Sequence, residues 1–178
     1  LARRDAGAAL AAQVAQGRVS RCLATDNFGT HSHFLRTGHG ISFRAWRFIF
    51  RARLDVLPVR AAMQRSSRGT IDTRCRVCGR HAETVCHMSS HCLPMMGAIR
   101  ARHDTILGRL IASVPSHRRQ HAEGRVERRV ADLGTAQRPD LVLDDGTDVV
   151  IIDVTVPFDG GPEALVDAAH NKVGKYAN

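Results

Sequence analysis

The stretch CRVCGRHAETVCHMSSHC, residues 75–92, constrains this chain more than any other. It packs three kinds of soft metal ligand into eighteen positions, and Cys75, Cys78, His87 and Cys92 give the spacing C-x2-C-x8-H-x4-C. A CxxC pair suits a tight knuckle in which two thiolates share one ion, and an H-x4-C pair returns across it to close a tetrahedron of soft donors, which suits zinc. Gly79, directly after the second cysteine, lets the backbone turn. His81, Cys86 and His91 compete as ligands but break the pairwise spacing. Four protein ligands leave no open position, so the expected zinc is structural, and its binding is folding free energy. The fifth cysteine, Cys22, lies alone. Clustered Cys and His without an export signal favour metal over disulfides and fit a reducing compartment. The chain opens on Leu1, which suggests a piece of something longer.

The length of 178 residues suits one or two domains, and no apolar run approaches the ~18 residues of a membrane span, the longest being VVII at 149–152. The net charge of +9 is uneven. Residues 1–70 hold 12 arginines against 3 acids, residues 71–135 hold 11 against 6, and residues 136–178 hold 3 basic groups against 8 acids. A cationic body joined to an acidic end fits a body that grips phosphates and an end that holds metal cations. An Ala-rich helix is expected over 1–16 with Gly17 as its stop, then a polar loop over 25–40. Over 41–58, Trp46, Ile49, Phe50, Leu54 and Leu57 follow helical spacing and Pro58 ends the run. Arg44, Arg47 and Arg51 form a second stripe there, able to offer guanidiniums to a phosphate backbone, or else simply a solvated face. Residues 60–74 read as a polar, Arg-rich linker. An apolar face of Met96, Ile99, His103, Ile106, Leu107, Leu110 and Val114 predicts a helix over 95–114. Residues 124–135 are ambiguous between strand and helix. From 139 the pattern turns to strands, PDLVL and DVVIIDVTV around a DDGT turn, and a last helix is expected over 162–176.

The strand region carries the acids. If DDGT (144–147) closes a hairpin with residue 143 facing 148, Asp140 faces Ile151, and Asp153 is its diagonal neighbour on the same face, ~7–8 Å away at the backbone. Two such carboxylates can share a divalent cation. The strand of Asp153 is apolar on both faces and reads as central and covered. An ionised Asp there costs several kcal/mol unless a cation or hydrogen-bond donors compensate, and a metal is the favoured compensation. Phosphodiester cleavage also needs a cation near the attacking water or the phosphate. Only two of the 26 basic residues are lysines, Lys172 and Lys175, both in the last helix. A buried stripe of Leu165, Val166, Ala169, Val173 and Tyr176 has Lys172 at its edge, so Lys172 is the preferred catalytic lysine, with Lys175 as backup or phosphate contact.

The order PD…D…K resembles the PD-(D/E)xK restriction-like nuclease core, with Thr155 where that core has its lysine, so the lysine comes from the helix. The CCHC knuckle, RLDVLPVR (53–60), RG (68–69) before CRVCG, ET (83–84), RHD (102–104), RPDLV, VVIIDVTV and KVGKY (172–176) together resemble, in the same order, the C-terminal part of the Pol protein of R-two-type non-LTR retrotransposons. In that family a reverse transcriptase carries an endonuclease that nicks target DNA, and the freed 3′-hydroxyl primes copying of element RNA. The resemblance implies magnesium on Asp140 and Asp153, assistance from Lys172 or Lys175, and nucleic-acid contacts from the linker and knuckle, Arg102 included. His103 matches the family's RH pair but reads as a packed core histidine, and Glu127 as an accessory acid. No polymerase motif is present.

The expected fold is therefore α+β. It comprises a helical, basic nucleic-acid-binding linker (1–74), a CCHC zinc knuckle (75–92) and a restriction-like endonuclease core cut short at its C-terminus (93–178), with a central mixed sheet flanked by helices. The expected function is metal-dependent nicking of target DNA with structural Zn and catalytic Mg, in the nucleus, alongside element RNA and an upstream reverse transcriptase part, and without a membrane. The alternative is a non-catalytic, zinc-dependent nucleic-acid-binding module.

Overall fold

The computed structural model describes residues 2–25, 37–115, 139–144, 148–158, 160–161 and 163–176, side chains 2–4, 22–25 and 144 excepted. Cys22 as a ligand, most of the 25–40 loop, the 124–135 segment with Glu127, and most of the DDGT turn lie outside them. The chain divides into two compact units, Leu1–Met96 with Phe158–Leu165, and Gly97–Pro157 with Val166–Asn178.

In the first unit, α1 (Ala2–Ala12) and α2 (Gly17–Thr25) form a helical hairpin. The expected stop at Gly17 is corrected, since α1 ends at Ala12 and Gly17 opens the next helix. It starts α2 so close to α1 that a Cβ there would meet the Leu10 and Ala11 carbonyl oxygens. Arg21 reaches back and donates to the Ala11, Gln13 and Val14 carbonyls (2.6–3.3 Å), satisfying acceptors left at the end of α1. The aromatic-rich run forms α3 (Phe43–Arg53), capped by Ser42, whose Oγ accepts from Ala45 N–H at 3.2 Å. Its end explains the LDVLP sequence. Asp55 takes φ +54°, the left-handed conformation that follows a helix end, while Val56 N–H donates to Arg51 O at 3.0 Å. Arg65 on α4 (Arg60–Ser66) holds the Asp55 carboxylate at 2.6 Å.

In the second unit, α5 (Met96–Ser113) buries Leu107 and keeps Ile99, His103 and Ile106 half-buried on the face its periodicity predicts, but Leu110 of that face is 39 % exposed. Leu107 packs with the fully buried Leu141, flanked by Ile111, Leu143, Ile152 and Val154. β1 (Leu141–Asp144) and β2 (Val149–Ile152) pair antiparallel with Leu141 opposite Ile152 and Asp144 opposite Val149. Among the described residues the sheet is this hairpin, so the expected central, covered strand of a mixed sheet is corrected. Val149 is 58 % and Val150 43 % exposed, because the hairpin packs on its core through Leu141, Leu143 and Ile152 and no other described strand pairs with it. α6 (Ala164–Tyr176) buries no residue, and Leu165, Val166 and Val173 of its expected stripe are 43 %, 51 % and 67 % exposed.

Candidate metal centre and acidic site

In the knuckle, the rung Arg74–Ala82 is flanked by Cys75 N–H to His81 O and Glu83 N–H to Thr73 O, both 2.7 Å. Gly79 turns the loop at φ +68°, with its N–H on Cys75 O at 2.8 Å. The second ligand pair is closed by a π-turn, His87–His91, in which Cys92 N–H donates to His87 O at 2.8 Å. That five-residue step is why H-x4-C works: a wider turn than the α-helix brings positions i and i+5 to one side.

The ligand atoms of Cys75, Cys78, His87 and Cys92 all lie within 4.8 Å of one another, and this is the one group of its kind among the described residues. His81, Cys86 and His91 stand outside it. Cys75 Sγ is 3.9 Å from Cys92 Sγ, and Cys78 Sγ is 3.3 Å from His87 Nε2. Zinc–sulfur bonds of ~2.3 Å at tetrahedral angles space two sulfurs ~3.8 Å apart, so the donor set fits one ion. Backbone N–H groups of His81 and Arg80 aimed at Cys78 draw its thiol down to about 6, where it ionises readily. Burial, with the sulfurs of Cys75 and Cys78 beside it, pushes Cys92 up to about 11. A dication held by these four residues would reverse that pressure and favour the thiolate.

Sequence reasoning quoted Glu83 only within the ET pair of the resemblance and gave it no role. It is 1 % exposed and binds Arg76 through Nε (2.9 and 3.0 Å) and Nη2, and it accepts from the backbone N–H of Arg76 (2.8 Å) and Arg60 (3.2 Å). The bond from Arg76 leads in holding its carboxyl down at about 2. Glu83 thereby ties the first turn of α4 to the CxxC loop, and Thr84 Oγ1 accepts from His87 N–H at 3.0 Å. The available signal was an acid with its capping threonine inside an arginine-rich run.

In the second unit, the observed register carried one step beyond β1 sets Asp140 directly opposite Asp153. Asp144 pairs with Val149, so the turn is centred one residue later than expected, every cross-strand partner shifts by two, and facing rather than diagonal acids result. The shift is even, so both acids keep the same face. Their side chains are 17 % and 6 % exposed. Asp140 Oδ2 accepts from Val154 N–H at 2.6 Å and lies 3.1 Å from His103 Nε2. His103, which also meets Asp104 Oδ1 at 3.2 Å, is thus not a packed core histidine but a polar partner of Asp140.

Both lysines converge on Asp153, Lys172 Nζ on Oδ1 at 2.9 Å and Lys175 Nζ on Oδ2 at 3.0 Å, and Tyr176 OH donates to Oδ2 at 2.8 Å. Burial pushes the Asp153 carboxyl up, but the bonds from Lys172, Lys175 and Tyr176 outweigh it and hold the acid well below its usual range. The charge is therefore compensated by amines. Bonds to Tyr176 and Asp153 raise the Lys175 ammonium, which keeps it a cation rather than a base. A cavity of about 510 Å³ opens here, lined by Ile151, Asp153, Thr155, Ala169, Lys172, Val173 and Tyr176. Arg44, Arg47 and Arg102 are exposed and Arg51 is half-buried, with its Nη2 3.5 Å from Val56 O.

With this geometry in place, the chain is 33 % identical over 128 residues to the retrovirus-related Pol polyprotein from type-1 retrotransposable element R2 of Popillia japonica. The match covers 71 % of this chain. This is similarity to a retrotransposon Pol region. The chain spans about a quarter of that relative's length, 25 %. No family model and no solved structure matches the chain. No helix among the described residues is long and apolar enough to cross a membrane.

Proposed function

We propose that this chain is the endonuclease region of a non-LTR retrotransposon Pol polyprotein, nicking target DNA so that the freed 3′-hydroxyl primes reverse transcription of element RNA. The observation that carries the reading is the meeting of Asp140, Asp153 and two ammonium groups at one end of a hairpin, beside an open cavity. The likeness to a Pol polyprotein supports it independently. In this reading 93–178 is a restriction-like core of the PD-(D/E)xK kind, and the knuckle holds structural zinc on Cys75, Cys78, His87 and Cys92. Arg44, Arg47, Arg51 and Arg102 contact nucleic acid, and the protein works in the nucleus beside an upstream reverse transcriptase part.

Asp140 and Asp153 would hold magnesium, which supplies charge to activate a water and steady the phosphate oxygens. The chain's own contribution is positional. Val154 N–H and His103 fix the Asp140 carboxylate, and Tyr176 fixes that of Asp153. Lys172 and Lys175 present two cations to an incoming phosphate, the Arg-rich residues bringing the polyanion to them.

The test is a supercoiled-plasmid nicking assay with Mg²⁺, on the chain alone and within its parent polyprotein. Asp140→Asn and Asp153→Asn should each abolish nicking while DNA binding survives. Nicking by Asp153→Asn at the unsubstituted rate sinks the assignment. One observation favours a second reading, a non-catalytic zinc-braced nucleic-acid-binding module. Asp153 already has three donors, so a metal must displace at least one of them. That reading expects salt-sensitive binding and no cleavage with any divalent ion.

A further inference from the structure

On α3 three rings recur at i, i+3 and i+7 and stack almost parallel. Phe43 and Trp46 lie 6.0 Å apart between centroids at 12°, and Trp46 and Phe50 lie 5.2 Å apart at 10°. The helix buries no residue; Phe43 is 75 % and Phe50 43 % exposed and Trp46 between them is half-buried, so the two end rings of the ladder stand at the surface. At about 100° per residue the three rings occupy one narrow arc, and Arg44, Arg47 and Arg51 occupy the adjoining one. Neither Arg44 nor Arg47 has a protein partner among the described residues. The arginine excess of residues 1–70 selects a polyanion. A polyanion that also offers flat apolar faces is a single-stranded nucleic acid, since a duplex hides its base faces and an acidic peptide has none.

We infer that α3 is a base-stacking platform for single-stranded nucleic acid, with the exposed end rings Phe43 and Phe50 of the ladder taking bases while Arg44, Arg47 and Arg51 take phosphates. The inference rests on the proposed nucleic-acid contact of this basic region and deepens it by naming the strand state and the rings.

Trp46 is the chain's one tryptophan, so its emission reports on the ladder directly. The full chain is titrated with dT and rU dodecamers, an abasic dodecamer of equal charge, and a blunt duplex. A base–aromatic stack is worth about five- to 150-fold in affinity. Either base-bearing strand should quench Trp46 and bind at least tenfold tighter than the abasic strand, and a preference between dT and rU assigns the natural strand to DNA or RNA. Phe43→Ala, at a position too exposed to unfold the helix, should remove about tenfold of that affinity and leave abasic binding unchanged. Phe43→Tyr should restore it. Equal binding of abasic and base-bearing strands, a preference for duplex, or no effect of Phe43→Ala overturns the platform. The triple variant Arg44→Gln, Arg47→Gln, Arg51→Gln separates the two levels. If it lowers affinity and the salt slope while Phe43→Ala does nothing, only stacking fails; if it changes neither, the underlying nucleic-acid reading fails too.

Discussion

Replacing Glu83 by glutamine is the sharpest probe of how the knuckle is held together. The exchange keeps shape but turns one carboxylate oxygen into an NH₂ facing the donors of Arg76 and Arg60. The carboxyl is held at about 2 against an ordinary 4.5, a gap worth roughly 3 kcal/mol at 1.36 per unit. The Arg76 side chain is 55 % exposed, so water screens part of this and about 2 kcal/mol remains. With a structural zinc in the knuckle, folding and metal binding would be coupled, and that loss would read as about thirtyfold weaker zinc affinity. The assay is competition with a chromophoric chelator at pH 7. Since the folded-state value is depressed, the contribution is fully present above the ordinary carboxylate value and is lost only as pH falls towards about 2. The affinity gap between the unsubstituted protein and the Glu83→Gln variant should therefore stay constant from pH 7 to pH 5.5. A gap under threefold, or one that closes within that interval, refutes the reasoning.

Gly79→Ala forces a side chain into φ +68° and should weaken zinc binding about fivefold in the same assay, from ~1 kcal/mol of backbone strain. Asp55→Asn should leave the melting temperature within a few degrees, since Asn also tolerates the left-handed region, whereas Asp55→Val should lower stability by about 1–3 kcal/mol in urea. Lys175 has a raised value, so its charge is present throughout neutral pH and is lost only as pH rises beyond the ordinary lysine range. Lys175→Arg should then nick faster than Lys175→Gln, and the rate should show no limb from Lys175 below pH 10; equal rates for the two variants would mean that its charge is not used.

What could be read from the sequence divides along physical lines. The four knuckle ligands were readable because metal chemistry fixes their spacing, and the face of α5 because a long helix repeats its pattern through Ile99, His103, Ile106 and Leu107. The shared face of Asp140 and Asp153 was readable too, since parity survives a shift of two residues in the cross-strand pairing. Glu83 was not, because a lone acid carries no periodicity that distinguishes a buried ion pair from a solvated one. Nor was the exposure of Phe43 and Phe50, as helical spacing of apolar rings reads the same whether the face packs or stands open. That both lysines reach Asp153 was hidden for a related reason. A helical projection places Cβ atoms, whereas both Lys172 and Lys175 span the distance to Asp153 with flexible stems.

Asp153 shows how such a site can exist before any substrate arrives. An anion with a 6 % exposed side chain needs compensation in the folded state, and three donors from the end of α6 provide it. Those donors are also the ones that α6 would offer to a phosphate, so on the proposed function binding a divalent ion at the acids and turning the ammonium groups towards a phosphodiester would be coupled by a single carboxylate. The coupling predicts that Lys175→Gln, by removing a competitor for Asp153 Oδ2, lowers the Mg²⁺ concentration for half-maximal nicking even as it lowers the maximal rate. The two effects have opposite signs, and a structural role for Lys175 alone would move both in the unfavourable direction. A Mg²⁺ titration of nicking separates them: a half-saturation that rises or stays fixed in Lys175→Gln would mean that the ammonium and the metal do not compete for Asp153.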